Sequence, residues 1–310
     1  MSVIDKLRRR ARLAQDVRRF FDARGYLEVE TPYAVPTPGE EVHLRAFATS
    51  RRLPTGESEA LFLHTSPEFA MKRLLSAGSG AIFQLARVWR NEEQAARHSH
   101  EFTMLEWYRP GASMADLMDE TEALIRAVLP GQTLPPFERL TMAEAFSRYV
   151  GADLLGTAED AVALAAQAET RLRDGEEWED LFFRLILERI DPVVGHAHPV
   201  FLTHWPTAQA ALARRDPADP RVALRFELYM GGMELANAFE ELTDPTEQRA
   251  RFEHDRARRH AIYGGPDWPM DEAFLEALAY MPPCAGIALG FDRLAMLACG
   301  ADRIDEVMWR

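Results

Sequence analysis

The residues from 82 to 109, IFQLARVWRNEEQAARHSHEFTMLEWYR, form two strand-like runs separated by a charged loop. In the second run, the alternation of an extended chain places four side chains on one face: Phe102, Met104, Glu106 and Tyr108. An aromatic ring, a carboxylate and a phenol in one row predict a ligand-binding surface. The alternative for a strand-loop-strand pattern is an amphipathic hairpin with a solvated tip.

The first of these runs ends in an arginine that could bind an anion. Its even-numbered residues share a face, and Arg90 is the last of them, followed by Asn91 and Glu92. A fixed guanidinium suits a phosphate, because its planar fork makes two parallel hydrogen bonds. Beside an acidic row, it predicts a ligand that carries both a phosphate and a cationic group.

A pair of glutamates lies in RVALRFELYMGGMELANAFEEL, which predicts a hairpin about its Gly-Gly turn. With that centre, Tyr229 opposes Glu234 and Ala236 opposes Glu227, so both glutamates share a face that has no lysine or arginine. Two converging carboxylates suit Mg²⁺ that bridges substrate phosphates. A solvated sheet face with two glutamates is the alternative. Glu241 has the opposite strand parity to Glu234, so it joins the pair only across a bulge or a strand end.

Two strand-to-helix transitions must position further groups. LFLHTSPEFAMKRLLSAG predicts a strand that enters a helix, with Ser66 as the cap, Pro67 at the first helical position and Glu68 in the first turn. MPPCAGIALGFDRLAMLACG predicts a strand through Gly286 and Gly290 that leads into a second helix. These glycines permit close backbone approach to a ligand, although a plain glycine turn would show the same pattern.

Helices account for much of the remaining chain. Arg293 falls in the first turn of the helix after Gly290, where its guanidinium can cover a ring and face a phosphate. Apolar residues at helical spacing predict an amphipathic helix from Asp5 to Arg24 and a helical insertion around 111–195.

Composition limits the class of protein. With 310 residues, 47% hydrophobic and 27% charged, the chain is long enough for a substantial core. A net charge of −13 opposes a mainly electrostatic grip on nucleic acid. Two cysteines without CxxC spacing predict neither a zinc site nor a disulfide framework, and no run has the length of a signal peptide core or a membrane span. We therefore expect a cytoplasmic protein.

These motifs resemble those of the class II aminoacyl-tRNA synthetases, and of their lysyl branch in particular. The segment RNE, then H, then EFTMLEWY is similar to the second class II motif, YLEVETPYAVPTPG with Pro32 to the first, and GIALGFDR to the third. RFE followed by E-x-x-N-x-F-x-E is similar to the lysyl branch. The resemblance implies an α+β fold with an antiparallel sheet flanked by helices, one catalytic domain over residues 1–310, and a homodimer.

The resemblance also implies a role for each candidate residue. ATP would be bound by Arg90, Asn91, Glu92, Ser99, Phe102, Glu234, Leu235, Gly290 and Arg293, of which Arg90 and Arg293 would be catalytic. The amino acid would be bound by Ser66, Pro67, Glu68, Glu106, Tyr108, Asn237 and Glu241. Mg²⁺ would be held by Glu227 and Glu234. Ser99 departs from the family pattern HNPEF, which is HSHEF here.

A core that begins almost at residue 1 leaves no room for an N-terminal anticodon-binding barrel, so the chain also resembles the stand-alone elongation factor P lysine ligases. That resemblance implies ATP-dependent activation of lysine, as (R)-β-lysine, and its transfer to a lysine of elongation factor P, without stable tRNA binding. Ala288 stands where lysyl-tRNA synthetases usually carry glycine, and its methyl group could favour β-lysine over α-lysine.

Two other functions fit the same motifs. One is a truncated lysyl-tRNA synthetase-like enzyme that charges tRNA or a small carrier. The other is a catalytically inactive synthetase-like regulator, which should have lost its phosphate arginines or metal glutamates. Since Arg90, Arg293, Glu227 and Glu234 are all present, the sequence favours an active ligase.

Overall fold

The computed structural model describes residues 1–157, 159–264 and 268–309. In chain order, the strands are β1 (Leu27–Glu28), β2 (Ala34–Val35), β3 (Phe47–Arg52), β4 (Ser58–Leu63), β5 (Ile82–Trp89), β6 (Glu101–Pro110), β7 (Glu138–Thr141), β8 (Val200–Pro206), β9 (Val222–Tyr229), β10 (Glu234–Glu240) and β11 (Cys284–Gly290). The α-helices are α1 (Val3–Asp22), α2 (Glu68–Ser76), α3 (Met114–Val128), α4 (Met142–Ala145), α5 (Ala161–Gln167), α6 (Trp178–Leu185), α7 (Pro245–Tyr263), α8 (Glu272–Leu278) and α9 (Phe291–Cys299).

The chain divides into two compact units. The first comprises Met1–Leu129 and Glu241–Arg310, and the second comprises Pro130–Glu240. The predicted single catalytic domain over residues 1–310 stays a prediction.

The first unit is built on the strand order β1-β5-β6-β11. β6 is antiparallel to both of its neighbours, whereas the short β1 runs parallel to β5. A second sheet has the order β2-β4-β3 and is antiparallel. Beneath the larger sheet, Phe21 of α1 stacks on Phe83 with their ring centroids 4.7 Å apart and lies 5.2 Å from the ring of Trp107. These rings form the core that holds α1 against the strands.

Polar contacts also fix α1 and α9 to the sheet. Ser2 caps α1 by accepting the backbone N–H of Asp5, and Arg10 on the same helix donates to Asp292 Oδ1 at 2.9 and 2.7 Å. The other oxygen of Asp292 accepts the backbone N–H of Thr103 at 2.6 Å. Because Asp292 is buried, this doubly bonded carboxylate fixes the first turn of α9 against β6.

The second unit has the strand order β10-β9-β8-β7. β9 is antiparallel to both of its neighbours, β8 and β10, whereas β7 pairs with β8 in parallel. Its core is aromatic, since the ring of Phe182 stacks on Phe146 and on Trp178 with centroids 5.3 and 5.1 Å away. Helices α4 and α6 each continue into a single π-helical turn, at Phe146–Val150 and Ile186–Ile190.

The predicted α+β class is confirmed. Among the residues described, most strand pairs are antiparallel, and each unit also has a parallel pair, β1 with β5 in the first and β7 with β8 in the second. Helices α3 to α6 lie in the range predicted to be helical, 111–195, but strand β7 within that range was not predicted. Among the residues described, no helix combines the length and apolarity that crossing a bilayer requires.

Candidate active site

The predicted row on β6 exists and faces small residues of the neighbouring strand. Gly286, Ala288 and Gly290 of β11 lie directly opposite Tyr108, Glu106 and Met104 in the antiparallel register. Directly opposed residues share a face. The small residues therefore leave the space beside the acid and the phenol open, which a run of large side chains would fill.

Glu106 is the centre of a buried hydrogen-bond network. Its Oε1 accepts the hydroxyl of Tyr108 at 2.5 Å, and its Oε2 accepts the hydroxyl of Ser66 at 2.8 Å. Ser66 Oγ also accepts the backbone N–H of Glu68 at 3.0 Å, but the prediction of Ser66 as the helix cap is wrong. Helix α2 begins at Glu68 with Pro67 as its cap residue, one position later than predicted. Burial, with the charge of Glu68, raises the pKa of Glu106 to about 8.

A lysine lies among these acids. Lys72 is only 1% exposed, and its Nζ is 2.6 Å from Glu68 Oε1 and 2.6 Å from Glu241 Oε2. Sequence reasoning missed Lys72, although a glutamate four residues before a lysine on a predicted helix indicates an ion pair. Burial by itself lowers the pKa of this amine, but Glu241 and Glu68 outweigh that effect and raise it. Lys72 therefore carries its charge inside the protein.

Glu241 shares one oxygen with Lys72 and leaves the other available. Burial raises the pKa of Glu241 to about 8 although Lys72 opposes that rise, and its Oε1 has no hydrogen-bond partner in the part of the chain that the structure describes. A Cβ built on Gly286 would lie 2.6 Å from that oxygen and 2.2 Å from Cε1 of Tyr108. Only glycine fits at this position, and the unsatisfied carboxylate oxygen indicates a cationic ligand.

A narrow cleft opens beside Glu68, with Gly39, Glu41, Thr65 and Ser66 among its lining residues. Glu41 was not singled out from the sequence. Burial raises the pKa of Glu41, and the neighbouring charge of Glu68 adds to the rise. A Cβ on Gly39 would lie 2.6 Å from Glu41 Oε2, so Gly39 lets this carboxylate pack over the backbone. With Asp271, which also lines it, the cleft borders three carboxyl groups.

The predicted phosphate arginines surround an acid that sequence reasoning missed. Arg90 places its guanidinium 5.3 Å from the ring centroid of Phe102 and 3.7 Å from Glu93 Oε1. Arg293 lies 3.1 Å from His98 Nε2, and His98 lies 3.6 Å from Glu93 Oε2. Burial alone would raise the pKa of Glu93, but His98, Arg90 and Arg293 together lower it. Glu93 therefore connects both arginines, and an anionic ligand would compete with it for them.

The other predicted ATP residues of this loop differ in exposure. Glu92 has a positive φ of 68° and a side chain that is 62% exposed, with Arg45 3.8 Å away. Asn91 Oδ1 accepts the backbone N–H of Glu92 at 3.0 Å. Ser99, the departure from the family pattern, is only 2% exposed, and its hydroxyl accepts the backbone N–H of Glu101 at 3.4 Å. Ser99 is thus part of the folded base of the loop.

In the second unit, the predicted hairpin register is right at the turn and wrong beyond it. Glu234 opposes Tyr229 as predicted, but a bulge between Glu234 and Ala236 shifts the pairing by one residue. Asn237, rather than Ala236, therefore opposes Glu227. The bulge includes the predicted ATP residue Leu235, which is buried. It brings Glu234 and Asn237 to the same face, which strict alternation cannot do.

The prediction that this face carries no arginine is wrong. Arg225 donates to Glu227 Oε1 at 2.7 Å and to Asn237 Oδ1 at 3.2 Å. Two residues along a strand return to the same face, so the sequence did contain this signal. Tyr229 donates to the other oxygen of Glu227 at 2.9 Å. Burial, followed by the charge of Glu234, nevertheless raises the pKa of Glu227 to about 7.

These two glutamates fit Mg²⁺ that arrives with a nucleotide better than a metal held by protein alone. Among the described residues, no group of three or more His, Cys, Asp or Glu side chains is arranged to hold a metal ion. Mg²⁺ commonly takes one or two carboxylates and completes its octahedron with water and phosphate oxygens. The raised pKa of Glu227 beside Glu234 indicates a carboxylate pair that a cation would stabilise.

Comparison with known proteins agrees with this geometry. A sequence profile of the class II tRNA synthetases (D, K and N) matches residues 2–309, almost the whole chain. The chain belongs to the class II tRNA synthetase family.

Close relatives within the class II synthetases carry a common name. The chain is 47% identical to the elongation factor P (R)-β-lysine ligase of Pasteurella multocida, over 98% of this chain and 94% of the relative. It is 46% identical to the same-named protein of Mannheimia succiniciproducens, over 96% and 92%. A Haemophilus influenzae protein of that name is 45% identical over 97% and 93%. The resemblance inferred from the motifs is confirmed.

Proposed function

We propose that this class II enzyme uses ATP to activate (R)-β-lysine as an aminoacyl adenylate and transfers the acyl group to a lysine side chain of elongation factor P. The names of its close relatives support the acceptor and the amino acid. The family supports ATP as the second substrate.

The observation that carries the proposal is an excess of buried acid over buried base. Glu68, Glu106 and Glu241 surround the ammonium of Lys72, which leaves two carboxyl groups beyond what one lysine neutralises. A diamino acid brings two ammonium groups, one for each of these carboxyls. Its neutral analogues would leave buried acids unpaired, which is the strongest form of selectivity that such a pocket offers.

The first reaction needs no nucleophile from the protein. The carboxylate oxygen of the diamino acid attacks the α-phosphorus of ATP, the bond to the β-phosphate breaks, and pyrophosphate leaves. Arg90 and Arg293 would stabilise the charge that develops on the phosphates, because Glu93 contacts Arg90 directly and Arg293 through His98, and the phosphates can replace this carboxylate. Catalysis is then positioning and electrostatic stabilisation.

The second reaction forms an amide. The neutral amine of the acceptor lysine attacks the carbonyl carbon of the adenylate, AMP leaves with the electron pair of the broken C–O bond, and the amine loses one proton. Glu227 and Glu234 would hold Mg²⁺, which when bound would supply neutralisation of phosphate charge in the first reaction.

Ala288 supports the choice of the β-isomer. Ala288 lies directly opposite Glu106, on the face that carries the acids, and packs against the cluster of Ala86, Val88 and Met104. A methyl group there shortens the space beside Glu106 compared with glycine. We expect Ala288→Gly to lower the preference for β-lysine over α-lysine in pyrophosphate exchange, and an unchanged ratio and rate would refute this role.

We also propose that the enzyme works as a homodimer without stable tRNA binding. The net charge of −13 supports weak affinity for RNA. Light scattering during size-exclusion chromatography measures the dimer, and a filter-binding titration with tRNA measures the affinity.

The decisive experiment supplies the enzyme with ATP, Mg²⁺ and radiolabelled α- or β-lysine, together with elongation factor P or tRNA. We expect label on elongation factor P, with a mass increase of one lysyl group on one lysine by mass spectrometry. Label on tRNA alone would show a tRNA-charging enzyme. Absence of pyrophosphate exchange with either isomer would show an inactive regulator.

A further inference from the structure

We propose that Lys72 is a positioning residue. Its buried ammonium pairs with one carboxylate oxygen of Glu68 and one of Glu241, and so orients the other oxygen of each towards the amino groups of the diamino acid. The proposal rests on the proposed function and adds a residue to it. It follows from where the ammonium lies between two acids that are far apart in sequence.

The contacts of Lys72 are unlike those of an ordinary helical ion pair. A surface pair at this spacing contributes little to stability and is readily lost to solvent. Here the amine is 1% exposed and has a second carboxylate partner, Glu241, which follows α2 by more than 160 residues. The ion pair therefore joins α2 to the segment after β10, and it fixes the separation between two acids that would otherwise repel each other.

The geometry of the pair leaves room for substrate. Lys72 contacts Oε1 of Glu68 and Oε2 of Glu241, one oxygen of each carboxylate. Glu241 Oε1 has no hydrogen-bond partner in the residues described, and it lies against the bare backbone of Gly286. A buried charge pair used only for stability would satisfy every oxygen within the protein, because an unsatisfied buried acceptor destabilises the fold.

Lys72 also sets the charge of the pocket. With it, the carboxyl groups of Glu68, Glu106 and Glu241 outnumber the lysine among them by two, and Glu41 lies near Glu68 as a further acid. Without Lys72, Glu241 would lose the cation that opposes the rise in its pKa, and a larger fraction of the Glu241 carboxyl groups would be protonated at neutral pH. The amino acid would then have to displace more protons in order to bind.

The first test measures pyrophosphate exchange by Lys72→Met, whose unbranched side chain can fill the same space. We expect the KM for β-lysine to rise about 30-fold or more, since one partner of a buried charge pair is lost, while the KM for ATP changes by less than about twofold. The acid limb of the pH profile of kcat/KM should move to higher pH. Equal KM values and an unmoved limb would overturn the proposal, as would equal losses for ATP and the amino acid.

The chain offers a matched control, because Lys6 is the other of its two lysines and also forms an ion pair, with Glu306. Lys6→Met should leave the KM for β-lysine within about twofold of wild type. Wild-type enzyme run alongside distinguishes the two hypotheses: if it activates no lysine isomer, the proposed function fails, whereas loss confined to Lys72→Met supports the positioning role.

Chemical rescue separates charge from packing. Lys72→Ala removes the atoms from Cγ to Nζ, which propylammonium replaces. We expect propylammonium to restore part of the exchange by Lys72→Ala but none by Lys72→Met, and propanol to restore neither. Equal rescue by propanol would mean that the side chain only fills space, which overturns the proposal.

A measurement on protein that keeps Lys72 covers the case in which variants of Lys72 fold poorly. With two lysines, ¹⁵Nζ-lysine labelling gives two ammonium signals, and Lys6→Arg assigns them. Addition of β-lysine should shift the Lys72 signal and leave the Lys6 signal in place. An unchanged Lys72 signal at saturating amino acid would refute the proposal that the acids paired with Lys72 bind the substrate.

Discussion

Gly286→Ala tests whether the space between β6 and β11 is needed for the amino acid. The new Cβ would lie 2.2 and 2.3 Å from Cε1 and Cδ1 of Tyr108 and 2.6 Å from Glu241 Oε1. Ordinary contacts of a Cβ begin near 3.4 Å, so the Tyr108 ring must move by about 1 Å. The ring is buried, and its movement stretches the bond to Glu106. Overpacking of this kind costs about 1–3 kcal/mol of stability.

The effect on catalysis should exceed the effect on stability. A displacement of about 1 Å in a positioning group lowers the rate about 100-fold. We therefore expect kcat/KM for β-lysine in pyrophosphate exchange to fall about 100-fold, while the KM for ATP changes little. The control is Gly131→Ala, where a Cβ would meet no atom within 4 Å. Normal kcat/KM in a folded Gly286→Ala enzyme would refute the role assigned to this space.

Further predictions concern protons, phosphates and metal. Because the pKa values of Glu106 and Glu241 are raised to about 8, binding of a diammonium substrate at pH 7 should release protons, and the affinity should increase towards pH 8. Calorimetry in buffers of different ionisation enthalpy measures the released protons, and their absence would contradict the prediction. The same two groups should make the free protein less stable as pH rises from about 4.5 to about 8, because these carboxyl groups ionise at lower pH in the unfolded chain than in the folded protein. Thermal melts over this pH range measure the loss of stability, and addition of β-lysine should reverse that loss. Arg90→Ala should lower kcat of exchange about 100- to 1,000-fold, and a loss below tenfold would exclude a role in the transition state. Glu227→Gln should raise the Mg²⁺ concentration for half-maximal exchange about tenfold or more, whereas an unchanged Mg²⁺ requirement would argue against metal binding there.

Sequence patterns predicted the parts of this fold that depend on alternation within one element. The β6 row follows from a period of two, and the turn of the β9–β10 hairpin follows from its glycines, so both were predicted correctly. The register after Glu234 was not, because the bulge depends on tertiary contacts that no local pattern encodes. Arg225 could have been predicted from the sequence, because it precedes Glu227 by two residues on one strand and therefore lies on the same face.

The acids were found and their partners were not. Glu68, Glu106 and Glu241 were all predicted to meet the amino acid, a role that stays a prediction, but Lys72 and Glu93 contact predicted residues without having been noticed. A lysine on a helix is usually solvated, and only the fold shows that this one is enclosed by carboxylates from distant segments. The net charge of a pocket depends on side chains from several elements. It can be counted only when the fold shows which of these side chains lie together.

The two lysines of the chain have a consequence for the fate of the reactive intermediate. An aminoacyl adenylate acylates amines without discrimination, and most proteins present many on their surface. Here the side chain of Lys72 is 1% exposed and that of Lys6 is 13% exposed in an ion pair. Arginines, which do not acylate readily, provide nearly all the positive charge of the side chains. An enzyme of this composition offers its own product few targets, and adenylate that escapes should modify added acceptor in preference to the enzyme.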